Sequence, residues 1–140
     1  MTELTHFNIA IISDTHIRHE NDKSDHCYPS DQFANRKNRF IIRQINKLAP
    51  DLVIHLGDIQ HPIPALPTHE ATVKTAQTLY QQLNCKMVVV PGNHDVGDKP
   101  HAFAASPIVS RQTHMIFNKY WGPSFYAFDI GNCHFVVVNS

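Results

Sequence analysis

Three short polar groups stand directly after apolar, β-branched runs: Asp14-Thr15-His16 after Phe7 to Ile12, Gly57-Asp58 after Leu52 to Leu56, and Gly92-Asn93-His94-Asp95 after Met87 to Val90. Carboxylate, imidazole and amide groups are metal ligands, and side chains delivered at the ends of successive parallel strands converge on one point. Two cations held about 3.5–4 Å apart create a nucleophile at neutral pH and neutralise charge on phosphoryl oxygens, which is what phosphoester hydrolysis needs. Asp58, after the central strand, is the natural bridging carboxylate. Asp14 and His16, two apart on extended chain, face alike and grip one ion, and Asn93 offers its amide oxygen to the other. His94 is then left to pass a proton to the leaving oxygen, with Asp95 orienting its ring. Asp95 also has a plainer reading, as a cap of the turn that follows. In this composition Gly-Asn-His-Asp is expected only about 0.002 times by chance, far less often than the two shorter groups.

The elements that must position these groups follow from the hydrophobic pattern. Phe7 to Ile12, Leu52 to Leu56 and Met87 to Val90 read as buried strands. Ser13 to Ser30 is polar and irregular. From Asp31 to Leu48 the apolar residues Phe33, Phe40, Ile41, Ile45 and Leu48 recur at helical spacing between basic residues, and Pro50 follows the helix end. Three prolines between Gln60 and Pro67 make a loop. Thr68 is placed to cap a second helix that carries Val73, Ala76, Tyr80 and Leu83 on one face. From Pro91 to Pro123 the chain reads as mostly loop, with a short helix near Arg111 to Tyr120. Phe125 to Ile130 and Phe135 to Asn139, joined through Gly131-Asn132, read as an antiparallel hairpin. The order strand, helix, strand, helix, strand implies right-handed parallel crossovers in one α/β domain spanning residues 1–140.

Composition narrows the partners. Twelve basic and twelve acidic residues cancel at neutral pH, so no overall field draws the chain to nucleic acid, and an anionic substrate must be caught locally. Three cysteines, Cys27, Cys85 and Cys133, show no paired spacing, which favours a reducing, cytoplasmic setting. No secretory signal and no apolar run of about 20 residues is visible, so no membrane insertion is expected. The loop after the first strand has no glycine, which excludes a Rossmann-type nucleotide fingerprint.

The three polar groups, in this order after strands, resemble the calcineurin-like metallophosphoesterase superfamily, whose signature runs Asp-x-His, Gly-Asp, Gly-Asn-His-Asp/Glu, a lone His and Gly-His-x-His. The stretch from Phe125 to Ser140 also resembles the hairpin of that superfamily, so the likeness covers essentially the whole chain. It implies a four-layer α/β/β/α sandwich, of which this chain would hold the N-terminal portion with a β-α-β-α-β core. It implies Asp14, His16, Asp58 and Asn93 as ligands of two divalent or trivalent ions (Mn, Fe or Zn), a metal-bridging hydroxide as nucleophile, and His94 as the group that contacts phosphate and protonates the leaving oxygen. The lone His and the Gly-His-x-His block do not occur here, so the 140 residues are expected to be part of a longer domain. Self-association through an open sheet edge and core face is expected of the piece alone. The purple acid phosphatase branch carries Tyr three residues after the Gly-Asp aspartate, where this chain has His61, so a tyrosinate-bound ferric ion is not expected.

The substrates implied are small phosphomonoesters or phosphodiesters, nucleotides and cyclic nucleotides among them. Asn93, His94, His19 and His61 are the candidate substrate contacts, the last two because they lie on loops beside the metal motifs. His55, inside a strand, reads as a satisfied core residue. Arg18 and Arg36 read as solvated, and Trp121, Tyr120 and Phe125 as a satellite core. The competing function is a non-catalytic metal-binding or interaction module with the same fold, which would lack stoichiometric metal.

Overall fold

The computed structural model describes residues 7–19, 32–61, 63–64, 66–99 and 108–139. The expectations for Asp31, for Cys27, for most of the stretch from Ser13 to Ser30 and for residues 100–107 of the long loop fall outside this set. Three strands, β1 (Ile9–Ile12), β2 (Leu52–His55) and β3 (Lys86–Val89), form a parallel sheet in the order β1-β2-β3. The register aligns Ile12 with His55 and His55 with Val89. All three strands therefore end level, and the polar groups leave from one edge. Helices α1 (Ala34–Leu48) and α2 (His69–Tyr80) make the two crossovers.

The α1 helix forms as the periodicity predicts, but of the predicted face only Ile45 is buried. Ala34, Asn38, Ile42 and Ile45 point inward, whereas Phe33, Phe40, Ile41 and Leu48 are exposed. Asn38 can occupy a core position because its Nδ2 donates to the carbonyls of Thr15 and Ala34, both at 2.9 Å. Ala49, at φ 48°, ends the helix by donating its N–H to Ile45 O. In α2 the predicted residues Val73, Ala76 and Tyr80 are buried, and Leu83 packs against them. Thr68 precedes the helix, but its side chain makes no capping bond; its carbonyl instead accepts from the backbone N–H and the hydroxyl of Thr72.

After β3 a one-turn helix, α3 (Asn93–Val96), appears where loop was expected. Helix α4 (Arg111–Trp121) follows, with Ser110 Oγ accepting from Thr113 N. The hairpin of β4 (Tyr126–Ile130) and β5 (Cys133–Val137) turns through Gly131 and Asn132 as predicted. Tyr126 ties this second sheet to the first, since its hydroxyl accepts from Val89 N (3.2 Å) and donates to Val89 O (3.1 Å). The core runs through Ile17, Ile42, Ile59, Ala76, Leu79, Val89, Val96 and Phe117. Trp121 joins that core while Phe125 is exposed, so the expected satellite cluster of aromatics does not form. Arg18 is buried, contrary to the solvated reading. Cys85 and Cys133 are free thiols. Among the described residues no helix is long and apolar enough to cross a membrane.

Candidate metal centre

The loops after β1 and β2 run side by side and keep pairing beyond the strands. Leu56 N donates to Ile12 O (2.8 Å), Asp14 N to Gly57 O (3.0 Å), His16 N to Asp58 O (3.1 Å), Ile17 N to Ile59 O (2.9 Å) and His61 N to Ile17 O (2.8 Å). The continued ladder carries Asp14, His16, Asp58 and His61 on fixed backbone. It is not extended chain, however. Asp14 (φ 52°), His16 (φ 40°) and Asp58 (φ 52°) all take the left-handed conformation, so the predicted alternation of side chains along a strand is replaced by a turn at each candidate ligand. Such conformations cost about 1–3 kcal/mol each and persist where the surroundings impose them.

The β2 and β3 loops meet at two glycines. A Cβ on Gly92 would lie 2.2 Å from Asp58 Oδ1, and one on Gly57, at φ +99°, would lie 2.2 Å from Gly92 N. No side chain fits at either position. His94 N donates to Asp58 Oδ1 at 2.9 Å, which locks the third motif onto the second. Asn93, half-buried, opens α3 between Gly92 and His94 and so stands beside Asp58.

Asp95 does not orient His94. Its Oδ2 accepts from Asp58 N (2.7 Å) and Gly92 N (2.8 Å), and its Oδ1 from Ile59 N (3.2 Å) and Gln60 Nε2 (3.0 Å). The carboxylate closes the first turn of α3 and clamps the two loops together, while His94 Nδ1 is buried with no hydrogen-bond partner. Asp95 is a capping residue as the alternative had it, but of the turn it belongs to and not of one that follows. Burial pushes the Asp95 carboxyl up to about 7, with the neighbouring Asp58 adding to the rise and the backbone donors opposing it.

A buried polar network supports the centre from behind, and it was visible in the sequence only as the core histidine. Gly57 N donates to His55 Nδ1 (3.1 Å), which assigns the His55 proton to Nε2, 2.8 Å from Thr15 Oγ1. Thr15 Oγ1 donates to Ile59 O (2.9 Å), and Tyr80 Oη reaches Thr15 Oγ1 (3.0 Å). His55 has no exposed surface, and burial lowers its pKa from 6.5 to about 4 despite the opposing charge of Asp14. The network thus fixes Thr15, between Asp14 and His16, and Gly57, next to Asp58. No local signal marks Thr15 or Tyr80, because their partners lie 40 and 65 residues away.

Two groups of three side chains gather at this edge. Asp14, His16 and Asp58 bring one ligand atom each within 4.8 Å of one another, and so do His16, His61 and His94. His19 belongs to neither group. The mixed carboxylate and imidazole set of the first group fits a divalent or trivalent transition cation.

The family profile described as calcineurin-like phosphoesterase matches residues 7–138. The chain is similar to serine/threonine-protein phosphatase CPPED1 of Bos taurus and of Mus musculus, at 29% identity over 103 residues in each case. It is also similar to the Homo sapiens protein of that name, at 28%. These matches take in 71% of this chain and 30% of each relative, so the chain spans under a third of the length of the curated relatives. In fold it resembles the purple acid phosphatase PPD1 of yellow lupin seeds, with a TM-score of 0.51 at 16% identity, over 93% of this chain and 23% of that one. With a profile match that runs from the first described residue through the hairpin, the chain belongs to the calcineurin-like phosphoesterase family.

Proposed function

We propose that this chain hydrolyses phosphomonoesters or phosphodiesters at a dinuclear metal centre, with Asp14, His16 and Asp58 on one ion and Asp58 and Asn93 on the other. The observation that carries the reading is the convergence of Asp14, His16 and Asp58 within 4.8 Å at the level ends of β1 and β2. Two Mn, Fe or Zn ions bound there would supply the nucleophile and neutralise phosphoryl charge.

The chain's own groups do the rest. His94, anchored through its backbone N–H to Asp58 Oδ1 and packed edge-on to His16 with ring centroids 4.9 Å apart, hands a proton to the leaving oxygen. Asp95 and the His55 network act on position, holding the backbone at Asp58, Thr15 and Gly57. His61, whose ring lies 6.0 Å from that of His94, and His19 on the neighbouring loop are the further contacts proposed for substrate. The name of the CPPED1 relatives puts phosphorylated serine and threonine beside nucleotides and cyclic nucleotides among the substrates to assay.

The test is metal content together with hydrolysis of p-nitrophenyl phosphate and bis(p-nitrophenyl) phosphate after loading with Mn2+, Fe2+ or Zn2+. Asp58→Asn should lose bound Mn2+ and turnover together. An Asp58→Asn protein with normal turnover would refute the centre, and a folded wild-type chain without stoichiometric metal would favour the non-catalytic module.

A further inference from the structure

The second three-residue group, His16, His61 and His94, contains no carboxylate and shares His16 with the first. Its members are held by backbone contacts independent of any ligand. His16 N is bonded to Asp58 O and His61 N to Ile17 O, with Ile17 bridged to Gln60 just before His61, and His94 N is bonded to Asp58 Oδ1. The rings of His16 and His94 are nearly perpendicular, at 84°, and His61 is tilted 40° to His94. Zinc bound to imidazole at about 2.0–2.1 Å in tetrahedral geometry needs ligand atoms roughly 3.4 Å apart, so the three ligand atoms, within 4.8 Å of one another, have no more than roughly 1.4 Å to close. All three residues are half-buried, and the buried Nδ1 of His94 has no hydrogen-bond partner to give up.

We propose that His16, His61 and His94 form an all-imidazole site for a borderline transition cation such as Zn2+, alternative to the carboxylate centre. Three neutral imidazoles select Zn2+, Cu2+ or Ni2+, whereas Mg2+ and Ca2+ require oxygen ligands. An ion held there takes His16 away from Asp14 and Asp58 and occupies His94, the proposed proton donor. With Mn2+ or Fe2+ in the hydrolytic centre, Zn2+ that captures His16 and His94 is therefore inhibitory, and His61 is the residue that makes it so. This rests on the reading of the hydrolytic centre only for its consequence on rate; the binding stands by itself.

The experiment is a Zn2+ titration of the wild-type chain and of His61→Ala, His61→Gln and Asp58→Asn against a chromophoric chelator, with the imidazole nitrogens followed by long-range 1H–15N spectra. Removing His61 should weaken Zn2+ binding at least about tenfold, the lower end of what loss of even an outer partner of a ligand costs. The ring nitrogens of His61 and His94 should shift with Zn2+ and not with Mg2+. Asp58→Asn, which keeps an oxygen to accept from His94 N, should retain this site. Zn2+ affinity within threefold of wild type in both His61 variants, or His61 nitrogens that stay unmoved in the wild-type chain, would overturn the proposal. His61 variants with unchanged zinc affinity beside an inactive Asp58→Asn would sink this site alone. Weakened zinc binding beside a fully active Asp58→Asn would sink the hydrolytic centre and leave this site.

Discussion

Lowering the pH should strip a specific share of stability from the fold through His55. The imidazole is without exposed surface and is held neutral, with Nδ1 accepting from Gly57 N and Nε2–H facing Thr15 Oγ1. A second proton on Nδ1 would confront the Gly57 N–H and break that bond. Burial accordingly lowers the pKa from 6.5 to about 4. Between those values the unfolded chain binds a proton that the folded chain refuses, so unfolding becomes easier as pH falls. The contribution is complete above pH 6.5 and is lost as pH drops toward 4, a total of about 3 kcal/mol at 1.36 kcal/mol per unit. Asp95, whose carboxyl is raised from 3.8 to about 7, works in the opposite direction across the same range, so the quantity to measure is a difference. Urea unfolding of wild type and His55→Gln, both in chelator, should show the wild-type advantage constant from pH 8 to 6.5 and shrinking by about 3 kcal/mol by pH 4. A difference that stays flat across that range would mean that the histidine is not held neutral, and the network behind Thr15 and Gly57 would fall with it.

Asp95→Ala strands three backbone N–H groups and Gln60 Nε2; at about 1–3 kcal/mol for each orphan, less the relief of not burying a charge, a net loss of about 3 kcal/mol is expected in the unfolding midpoint. An unchanged midpoint with abolished turnover would return Asp95 to the role of orienting His94. Gly92→Ala, which drives a Cβ to within 2.2 Å of Asp58 Oδ1 and 2.6 Å of Asp58 N, should cost more than about 2 kcal/mol and lower metal affinity, because backbone as well as side chain must move; a variant of wild-type stability and metal content would contradict the close approach. Val136 and Val138, in and just after β5, are 64% and 70% exposed, and the chain is expected to self-associate through this strand. Sedimentation velocity across a concentration series should show growing assemblies that Val136→Lys suppresses, and a monomer at every concentration would refute it.

The order of strands and helices was legible because each strand is a short β-branched run and each crossover helix carries a periodic face. What was not legible was which residues turn inward when a polar group has a partner waiting. Asn38 enters the core because the carbonyls of Thr15 and Ala34 are there to receive it, and Phe40 and Ile41 are correspondingly left outside. The candidate ligands were legible as residue types and order, but not their conformation, since periodicity stops where the strands stop. Asp95 shows the same limit. Its neighbour in sequence is His94, and proximity along the chain suggested a pair, whereas its four donors come from the β2 loop and from Gly92.

Why the candidate ligands sit on strained backbone follows from the same contacts. Of the four non-glycine residues at positive φ among those described, Ala49 ends a helix and the other three are Asp14, His16 and Asp58. Each left-handed residue costs on the order of 1–3 kcal/mol, yet each is flanked by bonds that leave it little choice. Asp14 and His16 are tied through their N–H groups to Gly57 O and Asp58 O, and Thr15 between them is held by His55 and Ile59. Asp58 N is tied to Asp95 Oδ2. The strain is therefore offset by protein contacts, which hold the three candidate ligands in place. For the proposed centre this arrangement leaves little conformational freedom to lose on metal binding, and it predicts that His55 and Asp95, outside the proposed ligand set, tune metal affinity through the backbone they hold.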